Sequence, residues 1–544
     1  MILNVYFFDT RKVLPYLCSR TKMLNMKKLA SIIFFAALCA CTEQGPDIGA
    51  PLPEEEENYG MIVLGEKLED PYSVKNVTKA LVNLYPSKAG EEVSTTHLYV
   101  RFLPAGQEQY ERLQSLGVEM IDHPVDYAIV REGDYYHDPS IPEGEMTWQY
   151  AVVPPDFVFP EDIVYQQLDR CHIAEQEPSV RSSDAIDWNA VEAEAFRITG
   201  NSSLLCSTKG ESSAYPQGRI SIEDEALGGK VIGVAGVRVS CNVFVKFAHT
   251  YTDGDGNYKI DKAFGSNPRY RLVFKNKKGF GIGMNLILFP ASVSGLGKHS
   301  PSGYSITVSK KSNRPLFRRC VVNNACWDYY NACTSDAGVI STPPSNLRIW
   351  LFDFLACSSS PMFQQGVMID GSIVEDYLGE YCKLVKFFLP DITLGLKNDR
   401  DYASIYSATM HELAHASHFM QAGKDYWNAL EEYVLRSFIT SGFITYGVGT
   451  EKNHGYCEVA EMWAYYMETR LYRERYPDSP LTFGTSFWFR PQIFDYMDGR
   501  GLTCYKTFNA LLPDVHDMEA LKDRLIRLYP EVKSMILLAF DKYK

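Results

Sequence analysis

The residues best suited to chemistry lie between Asp401 and Gly423, where the chain reads Met410-His411-Glu412-Leu413-Ala414-His415-Ala416-Ser417-His418. Histidines four apart share one face of a helix, so the imidazoles of His411 and His415 can meet at one tetrahedral ion. Glu412 stands about 100° further round the same turn, near enough to reach a water at that ion without ligating it. Catalytic zinc takes neutral nitrogen or anionic ligands, keeps one position open, and lowers the pKa of the water there towards neutrality. A carboxylate beside that water can accept its proton. The expected chemistry is hydrolysis, with His411 and His415 as Zn²⁺ ligands and Glu412 as general base.

A helix must carry these groups. An aspartate at 399 or 401 can cap its start, and Gly423 can end it. His418 shares the face of His411 but lies about 10 Å along the axis, too far for all three histidines to bind one ion. It is expected to support the ligands or to form a lip of the cleft. The metzincin arrangement is excluded, because 418 is His where Gly is needed and 421 is Gln where His is needed. The third ligand is expected from a second helix, Gly455 to Met467. Two helices that close on one ion must approach tightly, and Ala464, one turn after Glu461, permits this. Glu458 has Glu461 in the corresponding place. Glu461 is therefore the expected ligand, with Glu458 as a supporting group or the alternative ligand. The non-functional reading is a solvated acidic stripe through 458, 461 and 468. Tyr446, His454 and Tyr465 are the candidate donors to an oxyanion.

His411-Glu-Leu-Ala-His415 followed by Glu461-Met-Trp-Ala464 resembles the gluzincin group of zincin metallopeptidases, and more narrowly the zinc metallopeptidase lipoproteins of Gram-negative bacteria. The resemblance covers residues from about 290 to the end at the level of motif. It implies His411, His415 and Glu461 as ligands of one catalytic Zn²⁺, Glu412 as catalytic base, and a peptide or protein substrate. The chain departs from the common Glu-x-x-Ala-Glu form of the ligand helix, since Cys457 stands four before Glu461.

The rest of the chain must position and deliver this site. Its 544 residues call for two to four domains. With 54 Lys+Arg against 67 Asp+Glu, the net charge is −13, which excludes a nucleic-acid partner that needs a basic face. Residues 26–41 read as a signal peptide: two lysines, a short apolar run, then Leu38-Cys39-Ala40-Cys41. That ending resembles a bacterial lipobox and implies a lipid on Cys41, the only membrane contact expected. The implied location is the cell envelope, on the periplasmic or surface-exposed face of the outer membrane. Residues 42–60 form a Pro- and Glu-rich tether, and 1–25 are read as a mis-assigned stretch before a true start at Met26.

Residues 61–215 show a small α/β pattern. Ser73 caps a helix stopped by Pro86, strands follow at 98–102, 118–121 and 127–130, and a helix runs from Gln107 to Leu116. Residues 216–285 alternate in period two from Val237 to Phe247, as a strand does. Asp253-Gly-Asp-Gly-Asn257 is expected as a hairpin turn. It is not an EF-hand, whose sixth and twelfth positions would here be Tyr258 and Phe264. Gly236-Val-Arg-Val239 and Thr252–Tyr258 resemble the carboxypeptidase regulatory-like (transthyretin-like) β-sandwich, which implies a non-catalytic spacer or docking module. Gly295-Leu-Gly-Lys298 fails as a phosphate loop for want of the first glycine and the Lys-Ser/Thr ending. Residues 290–544 make the mainly helical, zincin-like domain, so the fold class is multidomain α+β. Of the ten cysteines after Cys41, five fall between Cys320 and Cys382, where a disulfide is expected. The competing functional reading is a surface lipoprotein that binds peptide or glycan without turnover. Glu412 argues against it, because binding needs no base.

Overall fold

The computed structural model describes residues 60–543 except 143–145, 175–185, 206–212, 285–290, 336–337, 354, 356, 368–389, 398–399, 441–445 and 484–486. The signal peptide, Cys41 and the tether up to residue 59 lie outside the described residues.

The first unit forms as its local signals direct. The Ser73 hydroxyl accepts from Asn76 N at 3.3 Å and starts α1 (Val74–Leu84), which stops before Pro86. Val77, Ala80 and Leu81 make its apolar stripe, packed on Val191 and Ala195 of α3 (Trp188–Ile198). Strand β1 (Val63–Lys67) pairs antiparallel with β3 (Tyr127–Arg131). Strand β2 (His97–Leu103) is the middle of an antiparallel sheet, between β4 (Gln149–Val153) and β5 (Val164–Cys171). Its alternate residues Leu98, Val100 and Phe102 pack with Leu113 of α2 (Gln107–Ser115). The strand expected at 118–121 does not form. Ile121 alone pairs, with Tyr150, because the buried side chain of Val118 joins the core without bringing a ladder with it.

The period-two run from Val237 to Phe247 is two strands, β8 (Arg238–Val243) and β9 (Lys246–Tyr251), paired antiparallel. The reversal falls at Phe244, whose φ is 46°, and Val245; both are buried. An apolar turn continues the alternation, so the pattern hides the reversal. Asp253 organises the tight turn that follows: its Oδ1 accepts from Asp255 N at 3.0 Å and Asn257 N at 2.8 Å. That turn closes no hairpin. β10 (Asn257–Lys259) pairs with β6 (Gln217–Asp224), so the chain passes there from one sheet to another.

One sheet has the order β10-β6-β14, with β7 (Lys230–Gly233) also on β6; the other has the order β13-β11-β8-β9. β11 is Arg269–Val273, β13 is Val293–Lys298 and β14 is Ile306–Val308. Ile220, Ile222 and Val308 of the first sheet share a core with Val239, Cys241, Tyr270 and Leu272 of the second. The discarded phosphate loop is part of β13, and residues 293–308 supply two strands to these sheets.

Beyond them lies a parallel sheet of β12 (Gly281–Met284), β17 (Arg348–Phe352) and β18 (Ile392–Gly395). A two-residue pair, β15 (Thr334–Ser335) with β16 (Gly338–Val339), follows α4 (Arg314–Ala332). From Tyr402 the chain is mostly helical: α5 (Tyr402–Ala422), α6 (Lys424–Thr440), α7 (His454–Arg475), α8 (Gln492–Asp498), α9 (Cys504–Phe508), α10 (Met518–Leu528) and α11 (Lys533–Lys542). The architecture is mixed α+β, with eleven α-helices among the described residues. None of them is long and apolar enough to cross a membrane.

The disulfide expectation is corrected. Cys320, Cys326, Cys333 and Cys357 are all buried thiols, and Cys320 and Cys326 fill space as small apolar side chains. Cys206 and Cys382 lie outside the described residues.

Candidate metal centre

Asp401 caps α5, its Oδ1 accepting from Ser404 N at 2.9 Å. Gly423, with φ 84°, ends the helix, its N–H donating to Phe419 O. The helix carries His411 and His415 on the face against which α7 packs. α7 starts close to the backbone of His516; a Cβ on Gly455 would sit 2.3 Å from that carbonyl oxygen. His411 Nε2 and His415 Nε2 are 3.2 Å apart. Glu461 spans them, with Oε2 at 3.3 Å from His411 Nε2 and Oε1 at 3.3 Å from His415 Nε2. All three side chains are buried.

Those separations have a physical meaning. Ligand atoms about 2.0–2.1 Å from a tetrahedral ion stand about 3.3–3.4 Å from one another. His411 Nδ1 lies 3.0 Å from Glu468 Oε2; donating its N–H there turns the Nε2 lone pair towards His415 and Glu461. Two imidazole nitrogens and a carboxylate around one buried point make a donor set that a cation satisfies. The group can hold a metal ion.

Its electrostatics follow from burial and proximity. Burial would raise the pKa of Glu461, but His415 and His411 draw it down to about 2. Burial opposes the charged form of His411, but Glu461 and Glu468 outweigh it and hold its pKa well above the ordinary histidine value. Glu412 is buried beside them, and burial raises its pKa against the pull of His411 and His415. Ser360 donates to Glu412 Oε2 at 2.7 Å, while its own carbonyl accepts from Trp427 Nε1 at 2.9 Å. Burial and then the charges of Glu412 and Glu461 push Glu431, on α6, up to about 8.

The acidic-stripe reading fails at Glu461, which is 2 % exposed. Glu458 is half-buried and outside the trio; burial is the main cause of its rise to about 6. Cys457 is buried and likewise outside it. His418 forms no lip. It is fully buried, its ring packed edge-on against Trp427 at 5.4 Å and tilted against Tyr426 at 5.0 Å. Burial, and then His415, push its pKa down to about 3, so it is a neutral wall of the ligand helix. Of the three oxyanion candidates, Tyr465 stands nearest, its ring centroid 4.4 Å from that of His411. Tyr446 is buried edge-on to Phe487 and Phe489. His454 opens α7, its Nδ1 at 2.8 Å from Glu451 O and its ring towards Trp488.

Glu468, Ser360 and Glu431 are the neighbours that the sequence reading did not assign to the site. Glu468 had a signal, since it lies two helical turns after Glu461. Ser360 and Glu431 arrive from other elements, and no spacing rule links them to His411. No protein-family model, curated protein or solved structure matches the chain, so its assignment rests on the geometry of this buried His-His-Glu group.

Proposed function

We propose that the protein is a zinc-dependent metallopeptidase of gluzincin type, exported and held at the cell envelope by a lipid on Cys41. One observation carries this: donor atoms of His411, His415 and Glu461 spaced 3.2–3.3 Å apart, with Glu412 next to His411 on the same helix. A zinc ion there would polarise a peptide carbonyl and acidify a water molecule.

The chain's own groups do the rest. Glu412 takes a proton from water on its carboxylate and later passes it to the leaving amine. Its burial-raised pKa lies closer to working pH, which suits a group that must both accept and release. Ser360 holds one carboxylate oxygen of Glu412, so the other would carry the proton transfer. Glu468 fixes the orientation and proton position of His411. Tyr465 is the favoured donor to the developing oxyanion, being close to His411. The paired four-stranded sheets are read as a carboxypeptidase regulatory-like spacer.

Elemental analysis of the purified protein tests the reading. One zinc per chain is expected in the wild type and in Glu458→Ala, and none in Glu461→Ala. A peptide library should be cleaved by the wild type. Glu412→Gln should keep its zinc and lose about 10²–10⁴-fold in rate. A wild type that takes up no zinc when supplied with it would sink the peptidase and leave a non-catalytic binding lipoprotein.

A further inference from the structure

Strand β11 and its continuation read Arg269-Tyr-Arg-Leu-Val-Phe-Lys275. Tyr270, Leu272 and Phe274 are fully buried in the core of the paired sheets. Arg269, Arg271, Val273 and Lys275 therefore line the opposite face, joined by Arg238 and Ser240, which stand opposite Val273 and Arg271 on β8. The first unit covers this face with residues 117–123 and 132–135 and leaves a cavity of about 350 Å³. Gly295, the partner of Arg271 on β13, adds no side chain to fill it.

Nearly every carboxylate around this cavity is already engaged by a basic group. Glu119 binds Arg238 at 2.6 Å and His249 at 2.9 Å, and accepts from Ser240 Oγ at 2.8 Å. Glu132 pairs with Arg269, and Asp134 with Arg319 at 2.6 Å. Asp122 accepts from the Tyr136 backbone N–H, and burial pushes its pKa up to about 7. Arg271 is left over. It is 5 % exposed, it lines the cavity, and its Nη1 is shut off from solvent with no hydrogen-bond partner. Its guanidinium carbon lies 5.8 Å from the centre of the Phe247 ring, and Glu119, already paired with Arg238 and His249, is the carboxylate that acts on it most strongly. Lys275, half-buried on the same wall, also has no ion pair among the described residues. A buried guanidinium with no hydrogen-bonded carboxylate of its own is unfavourable, and a bound anion would reduce that penalty.

We propose that this cavity is a binding site for a small carboxylate with an apolar body. The carboxylate would sit on the planar fork of Arg271, with Lys275 as the second cation. The body would lie against Val118, Ile121 and Val273. The volume is at the low end for ligand pockets, about 300–1,000 Å³, which suits a small molecule. The site is separate from the His-His-Glu group and does not depend on that group's chemistry.

The test is thermal unfolding of the full chain with three probes: N-acetyl-L-phenylalanine, its uncharged amide, and inorganic phosphate. A ligand of the native state stabilises it by RT ln(1 + L/Kd) at free ligand concentration L, and so raises the midpoint as that concentration grows above Kd. The acid at millimolar concentration should raise it and the amide should not. Arg271→Met should weaken the acid's binding at least tenfold. Lys275→Met, on a half-buried residue and so less exposed to misfolding, should weaken it at least threefold. A midpoint unmoved by the acid, an equal shift with the amide, or a shift kept by both variants would overturn the proposal. Stabilisation by phosphate alone would overturn the carboxylate assignment.

Discussion

His411 has a carboxylate at each nitrogen, and the two carboxylates do different work. Glu461 stands at Nε2 in the candidate metal centre, whereas Glu468 holds Nδ1. Outer partners of this kind typically change metal affinity about 10–100-fold when removed. Glu468→Ala is therefore expected to keep the fold and the site but bind zinc about 10–100-fold more weakly, read by competition with a chelator of known affinity. Wild-type affinity in that variant would mean that the helix alone orients the imidazole. The two histidines and Glu412 were legible because their relation is set within one helix. Glu461 was preferred over Glu458 on the size of Ala464, and the buried trio contains Glu461. His418 was half legible: its face could be read, but its complete burial depends on Tyr426 and Trp427 of the next helix.

At the scale of elements, the start of α1 carries a built-in pH response. Asp70 accepts from Tyr72 N at 2.8 Å, and its backbone carbonyl accepts from Asn76 Nδ2 at 2.9 Å. Burial raises its pKa from 3.8 to about 7. The folded chain thus keeps a proton that the unfolded chain has released from about pH 4 upward. The stabilisation is full below the unfolded value and is lost as pH rises through about 7. Asp70→Asn should leave stability unchanged near pH 4 and raise it at pH 8, on the order of 2–4 kcal/mol. Denaturant unfolding at the two pH values measures this; an equal effect at both would refute the buried-acid account. Elements with a local stop and start, such as Ser73 to Pro86, were readable. The β8–β9 reversal was not, because a buried turn at Phe244 and Val245 preserves the apolar alternation.

For the whole molecule, the regions distinguished by sequence pattern share one continuous core running from Tyr72 to Ala539. A polar tie accompanies it. Arg475, near the end of the ligand helix α7, binds Asp224 of β6 at 2.8 Å and Asp328 of α4 at 3.2 Å. Asp224 is 0 % exposed and also accepts from Tyr476 at 3.0 Å. Removing one partner of a buried pair strands the other charge, at a cost of about 3–5 kcal/mol. Arg475→Ala should lose about that much in denaturant unfolding, and Asp224→Asn in the same background should recover part of it. A loss within about 0.5 kcal/mol, the range of ordinary surface changes, would show that the paired sheets and α7 are not coupled through this contact.

Local sequence encodes what lies within one element: the capped helix with His411, Glu412 and His415 at metal-ligand spacing, the α1 stripe, and the β-rich character of 216–285. These follow from backbone periodicity and short-range capping, which act over a few residues. The tertiary structure alone decided that Glu461 reaches both histidines, that Ser360 and Glu431 stand beside Glu412, and that four cysteines expected near a disulfide remain buried thiols. It also decided that Arg271 lines a cavity with its Nη1 left without a hydrogen-bond partner. Each of these depends on which surfaces meet across tens or hundreds of residues. That choice is made by the burial of apolar area from the whole chain, and no spacing rule along it carries the answer.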